Sequence, residues 1–244
     1  MIALQDAGTV AREVLSRADR TKLDGGDDRH FYSAPRLVTH VDGEFLRRVT
    51  QLYRQRVPDG SAILDLMSSW VSHLPEEAKY ARVVGHGMNA AELARNRRLD
   101  SFFVRDLNAQ PDGWALADCS FDAVLCCVSV QYLQQPERVF AEVFRVLKPG
   151  GCCIVTLSNR LYYEKAIRAW RDGSGYARVQ LVKQYFLCVR GFTEPEALTD
   201  VDVAPPPQGP LAALLSKAKA FLQRSSGDPF YAVVAYRNYR RLPG

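Results

Sequence analysis

The sequence predicts an α/β fold built on a doubly wound, mostly parallel sheet, and three observations carry that expectation. Short apolar runs alternate along the chain with stretches whose apolar residues recur at helical spacing. Turn signals, Pro58-Asp59-Gly60 and Lys148-Pro149-Gly150-Gly151, stand directly before two of those runs. The runs are continuous rather than alternating, as strands covered by helices on both faces require.

In chain order, Thr9–Ala18 places Val10, Val14, Leu15 and Ala18 at helical spacing, and the Gly/Asp-rich stretch Leu23–Asp28 follows as a flexible joint. From Glu44 to Tyr53, the residues Phe45, Leu46, Val49, Leu52 and Tyr53 share one helical face. Ala62–Leu66 reads as the first buried strand, Arg82–Gly85 as the second and Ser101–Val104 as the third, with a helix at Ala90–Asn96 between the last two. Phe121–Val128 reads as the fourth strand, Pro136–Leu147 as a helix opened by proline, and Cys152–Leu157 as the fifth strand. Glu164–Arg171 and Ala177–Val189 read as helical or mixed. Val201–Val203 and Phe230–Arg237 supply two late strands, separated by a Pro-rich loop and an amphipathic helix at Leu211–Gln223. This divides the chain into a helix-and-linker extension over 1–29 and one domain over 30–244, with a helical insertion around 205–228.

A chain of 244 residues, 47% hydrophobic and 24% charged, can bury one substantial core. The net charge of +5 is spread along the chain, so nothing marks a nucleic-acid surface. Six cysteines fall mainly inside apolar runs without zinc-ligand spacing, which predicts core thiols, no metal and a reducing compartment: the cytoplasm, or an organelle matrix or stroma after loss of a transit peptide. The longest apolar stretch, around Ala123–Val130, is about half of a bilayer span, so no transmembrane segment is expected.

The stretch Phe121-Asp122-Ala123-Val124-Leu125, a helix, and Phe140-Ala141-Glu142-Val143-Phe144-Arg145-Val146-Leu147-Lys148-Pro149-Gly150-Gly151 resembles the fourth-to-fifth-strand segment of class I (Rossmann-like) S-adenosylmethionine-dependent methyltransferases of the type 11-like group. The resemblance implies a seven-stranded sheet of order 3-2-1-4-5-7-6 with the last strand antiparallel, S-adenosyl-L-methionine as cofactor and a small-molecule acceptor. It covers roughly residues 30 to 240. Asp-Leu-Met-Ser-Ser-Trp-Val-Ser-His from Asp65 and Gly-His-Gly-Met-Asn from Gly85 look like a branch typical of plants, algae and cyanobacteria, as does the segment Phe31–Asp42.

Carried over residue by residue, the resemblance implies a cofactor site at Asp65, Leu66, Met67 and Ser68 after the first strand, and at Gly87, Met88 and Asn89 after the second. Asp106 and Leu107 follow the third, and Cys127 and Val128 follow the fourth. Asp65 is expected to organise the loop or to meet the methionyl ammonium, directly or through water, Asp106 to meet the adenine amino group and Leu107 to cover the ring. Two departures stand out. The first loop has Met, Ser and Trp where relatives have glycines and a loop opening into a helix. Gly87 stands where many relatives place an acid for the ribose hydroxyls, so that role fails unless Asn89 or His86 takes it; Asn89 also suits a helix cap.

Methyl transfer is an in-line displacement from a sulfonium, for which the protein supplies positioning and exclusion of water. A general base is needed when the acceptor arrives protonated, and His40, Tyr32 and Tyr132 are unranked candidates. Tyr32 and Arg36 read equally as a lid or as packing on the sheet edge. Composition leaves lipid, quinone, phenol and small-acid acceptors open. It also leaves open a scaffold or accessory subunit working with other protein subunits, which the Gly-poor loop favours. Hydrolase and NAD-binding fingerprints are absent.

Overall fold

The computed structural model describes residues 6–199 and 227–238. Seven strands form one sheet in the order β3-β2-β1-β4-β5-β7-β6. They are β1 (Ala62–Asp65), β2 (Arg82–Gly87), β3 (Ser101–Val104), β4 (Phe121–Cys127), β5 (Leu147–Leu157), β6 (Glu196–Thr199) and β7 (Tyr231–Tyr236). Strands β1 to β5 pair in parallel, and β7 runs antiparallel to both of its neighbours, β5 and β6. The expected order and polarity are those observed.

Burial explains why these runs are strands. Ile63, Leu64, Val124, Ile154, Val155 and Val233 are inaccessible to solvent, and alternate residues feed two apolar clusters on opposite faces of the sheet. The helices α2 (Gly43–Arg56), α4 (Pro136–Val146) and α6 (Gly175–Leu187) cover those faces. Asp42 caps α2 by accepting from Phe45 N, and Pro136 opens α4. The shorter helices α1 (Asp28–Phe31), α3 (Ala90–Leu93) and α5 (Arg168–Arg171) are four residues each.

The fourth-to-fifth-strand motif is structural. Asp122 accepts from Ala62 N and from Lys148 Nζ, both at 2.8 Å, so one carboxylate ties β1, β4 and β5 together. A Cβ on Gly151 would stand 2.9 Å from the Asp122 carbonyl, which is why only glycine fits there.

The structure departs from expectation in three places. Residues 9–18 are not helical. Their amides leave the segment for other partners: Ala11 N donates to Cys188 O, while Val14 N and Leu15 N donate to Glu137 Oε1 at the start of α4. Leu15 instead enters the core from an irregular path bridged at Val10 to Val189. Second, the helix from Ala90 closes after Leu93, because Asn96 turns inward to bond the first loop. Third, the sheet takes its sixth strand from Glu196–Thr199, where no strand was expected; after β1, where relatives have a helix, residues 66–81 are loop throughout. The late strand at Val201–Val203 and the helix at Leu211–Gln223 lie outside the described residues.

Candidate active site

The strand order reverses between β1 and β4, where the connections leave toward opposite sides and open a crevice at the carboxyl ends of the strands. A cleft enclosing about 380 Å³ lies there. Ten of the eleven expected cofactor residues line it: Asp65, Met67, Ser68, Gly87, Met88, Asn89, Asp106, Leu107, Cys127 and Val128. Leu66 does not; it points into the core and is almost fully buried there.

Asp65 ends β1 with its carboxylate buried, accepting from the hydroxyls of Ser68 (2.6 Å) and Ser72. Burial pushes its pKa up to about 6, against the two hydroxyl bonds that favour the charged form. The loop after β1 is organised by side chains rather than by a helix. Ser69 donates to Glu92 at 2.5 Å, and Asn96 Nδ2 donates to Ser69 O and Ser72 Oγ. Met67 takes a positive φ of 56° at the turn, a conformation that usually selects glycine.

His86 locks two of the rim loops. Its Nδ1 accepts from Met67 N at 3.1 Å, which fixes the proton on Nε2, and Nε2 donates to Arg105 O at 2.9 Å. Burial lowers its pKa to about 4, so the ring is neutral. His86 is therefore a strut and has no capacity left for a ribose. Asn89 is likewise committed: Oδ1 caps α3 through Ala91 N and Glu92 N, while Nδ2 donates to Tyr32 O and Ser33 O. The ribose role suggested for Asn89 is thus displaced by its capping role. Gly87 is needed for another reason, since a Cβ there would meet the Ser68 carbonyl at 2.6 Å.

Asp106 follows β3, and its Oδ1 accepts from Asn108 N and Ala109 N, forming an Asx turn at the cleft edge. Leu107 is buried beside it. Cys127 and Val128 present an apolar wall after β4, the thiol pushed up to about 12 by burial. Val128 also has a positive φ, 47°, where the chain turns away from the strand.

The segment 28–42 crosses this rim. Asn108 donates to Asp28, Asn89 to Tyr32 and Ser33, and Trp70 Nε1 to Val38 O, while Arg36 N donates to Glu92. The guanidinium of Arg36 stacks over Phe31 at 4.4 Å and Tyr162 at 5.1 Å. Beneath, Lys165 is buried with Asp24 at 2.8 Å and Asp28 at 3.1 Å, and Lys22 pairs with Asp28 at 2.5 Å. Of the two placements weighed for Tyr32 and Arg36, the one over the cleft is observed.

Sequence reasoning missed Glu92, His73, Tyr53 and Tyr162, all of which line the cleft. Glu92 carried a signal: Asn89 and Glu92 have the spacing of a capping box, although Glu92 turns to Ser69 and Arg36 instead of back to Asn89.

A model of the methyltransferase domain family matches residues 67–155. Malonyl-[acyl-carrier protein] O-methyltransferase of Hahella chejuensis is 26% identical over 178 residues, 68% of this chain and 62% of that protein. Dimethylglycine N-methyltransferase of Parasynechococcus marenigrum is 27% identical over 142 residues, 54% of this chain and 50% of that protein. The match therefore spans less than two thirds of either curated relative. Among solved structures, the Haloferax volcanii protein in complex with the Trm112 methyltransferase activator superposes with a TM-score of 0.52 at 16% identity, over 80% of this chain and 91% of that one. Haemonchus contortus phosphoethanolamine N-methyltransferase 2, in complex with S-adenosyl-L-methionine, gives 0.50 at 17% identity, over 80% and 52%. At such identities the superpositions establish a shared fold.

Proposed function

With the domain match and the shared fold supporting a place in the class I S-adenosylmethionine-dependent methyltransferase superfamily, we propose that this chain transfers a methyl group from S-adenosyl-L-methionine to a small molecule. The observation that carries the reading is the convergence of Asp65, Asp106, Leu107 and the Cys127–Val128 wall on one cleft at the switch point of the sheet. The motifs after β1 and β2 support the plant, algal and cyanobacterial branch as its affiliation.

The donor and acceptor set fits the cofactor. Asp65 offers a buried carboxylate to an ammonium, Asp106 an acceptor to an exocyclic amine, and Leu107 an apolar surface to a ring. Gly87 stands where relatives place a ribose acid; Glu92, on α3, also lines the cleft, with its carboxylate accepting from Ser69 and Arg36 N. S-adenosyl-L-methionine, when bound, supplies an electrophilic methyl group on a sulfonium. The protein's own part is to orient the acceptor in line with that bond and to exclude water, which the segment 28–42 does by roofing the cleft.

The test is a calorimetric titration with S-adenosyl-L-methionine and S-adenosylhomocysteine, using wild type, Asp65→Ala and Asp106→Ala. Binding that both substitutions weaken supports the reading. Absence of binding by wild type overturns it and leaves a scaffold within a larger assembly, the reading the Gly-poor loop favours.

A further inference from the structure

We infer that Tyr162 and His40 form the proton-accepting pair of the cleft, and that the methyl acceptor is accordingly a phenol or alcohol whose oxygen arrives protonated. The inference rests on the methyl-transfer reading and ranks the bases that the sequence leaves unranked.

Tyr162 Oη and His40 Nε2 lie 3.3 Å apart, their rings edge to face with centroids 5.3 Å apart, and both line the cleft. Burial raises the Tyr162 pKa, so the phenol keeps its proton and, with the His40 proton on Nδ1, donates it to Nε2. Burial likewise lowers that of His40; Glu92 opposes the shift and Arg36 adds to it. His40 is thus a neutral imidazole with a lone pair directed at Tyr162, and its exposed edge can pass a proton to water.

The other candidates fail. Burial drives the Tyr32 pKa far up and that of Tyr132 up to about 12, and the Tyr132 oxygen already accepts from Tyr162 N at 2.9 Å. His73 is pushed down to about 4, too weak a base for a hydroxyl. Around the pair stand the Arg36 guanidinium, the Glu92 carboxylate and the rings of Phe31 and Tyr132. Arg160, nearby on the cleft wall, is ion-paired to Asp228.

The same surroundings select the acceptor. A carboxylate needs no base, so the pair would be idle. An ammonium would face the Arg36 guanidinium, which bonds the Phe31 carbonyl and the Tyr162 hydroxyl and stacks on rings, while the Glu92 carboxylate is taken by Ser69 and Arg36 N. A hydroxyl oxygen gains from both features, since Arg36 favours the negative charge that develops as the proton leaves.

In the step itself, the acceptor's proton passes to Tyr162 Oη as the Tyr162 proton passes to His40 Nε2. The acceptor oxygen's electron pair forms the bond to the methyl carbon. The carbon–sulfur bond breaks with its pair on sulfur, leaving a neutral thioether. The positive charge ends on the His40 imidazolium and then leaves as a proton to water.

The experiment uses the full chain, labelled S-adenosyl-L-methionine and four probe acceptors: para-cresol, para-nitrophenol, malonate and dimethylglycine. Calorimetric binding of the cofactor by wild type, His40→Gln and Tyr162→Phe comes first, since its failure in wild type bears on the methyl-transfer reading alone. At mildly alkaline pH, para-cresol arrives protonated and para-nitrophenol largely ionised. The expected result is that both variants bind cofactor as wild type does and lose about a hundredfold in kcat on para-cresol, with little change on para-nitrophenol. The acid limb of the para-cresol pH profile should disappear in His40→Gln. In a proton NMR titration, Tyr162→Phe should raise the His40 pKa, because the hydrogen bond that favours the neutral ring is gone. The inference is overturned by equal losses on both phenols, by transfer to malonate or dimethylglycine in preference to the phenols, by a cofactor-binding wild type that methylates none of the four, or by an unshifted His40 titration.

Discussion

The Ser68 carbonyl oxygen lies 2.6 Å from the point where a Cβ on Gly87 would stand, so the loop after β1 and the end of β2 touch main chain to main chain. Gly87→Ala must push that loop away. Its expected cost is about 1–3 kcal/mol, as for overpacking elsewhere, read as a lower urea midpoint at unchanged slope. Gly87→Asp, which restores the acid common among relatives, should destabilise further and weaken cofactor binding rather than improve it.

Asp65→Asn should stabilise the protein at neutral pH. The folded-state pKa of Asp65 is raised to about 6 from 3.8, so between those values the folded state holds the extra proton and stability falls as pH rises. Above pH 6 the buried charge costs on the order of 3 kcal/mol, and asparagine can still accept from both serine hydroxyls. Urea unfolding at neutral pH should favour the variant by up to that amount, with the gap closing toward pH 4. Calorimetry should show weaker S-adenosyl-L-methionine binding by the same variant.

His86 predicts the opposite slope. Its pKa falls from 6.5 to about 4 on folding, so the unfolded chain binds the extra proton in that window and stability drops as pH falls. His86→Phe leaves Met67 N–H and Arg105 C=O without their partner, at about 2–4 kcal/mol for the two groups together. It should also flatten the acid limb of the stability profile, measured as urea midpoints from pH 7 to pH 4.

Lys165→Met tests the buried network under the rim. Asp28 sits beside Lys22 and Lys165, and losing Lys165 leaves its charge half-compensated and that of Asp24 unpaired with it. The expected loss is about 3 kcal/mol, at the low end for a broken buried pair because Lys22 remains. Lys165→Met with Asp28→Asn should recover part of that loss, and the double-mutant cycle measures the coupling.

Strands β1 to β5 and β7 were legible because each contains an apolar run, a local signal, whereas β6, Glu-Ala-Leu-Thr, has no such run and no strand was expected there. The lining of the cleft was legible through the family resemblance, which names residues at or just past the strand ends. Only Leu66 went astray: with Asp65 facing the cleft, its neighbour faces the other way, into the core. The fate of residues 66–81 was not legible. Their path depends on Asn96, Glu92 and Val38, which lie far along the chain, and no local pattern encodes such bonds. Residues 9–18 misled for a related reason. Their apolar spacing suits a helix, yet Glu137 and Cys188 claim the amides that a helix would have used. His40 and Tyr162 are 122 positions apart, a pairing that only the fold brings about.

Of the three tryptophans, Trp114 and Trp170 are enclosed in the core, whereas Trp70 stands at the rim with its indole N–H bonded to the Val38 carbonyl. The molecule thus carries its own optical gauge. Light absorbed by the two enclosed indoles gives a steady blue background, and the emission of Trp70 shifts with the water around it. Any ligand that parts residue 38 from residue 70 on its way in would announce itself by colour, without a label and before any chemistry takes place.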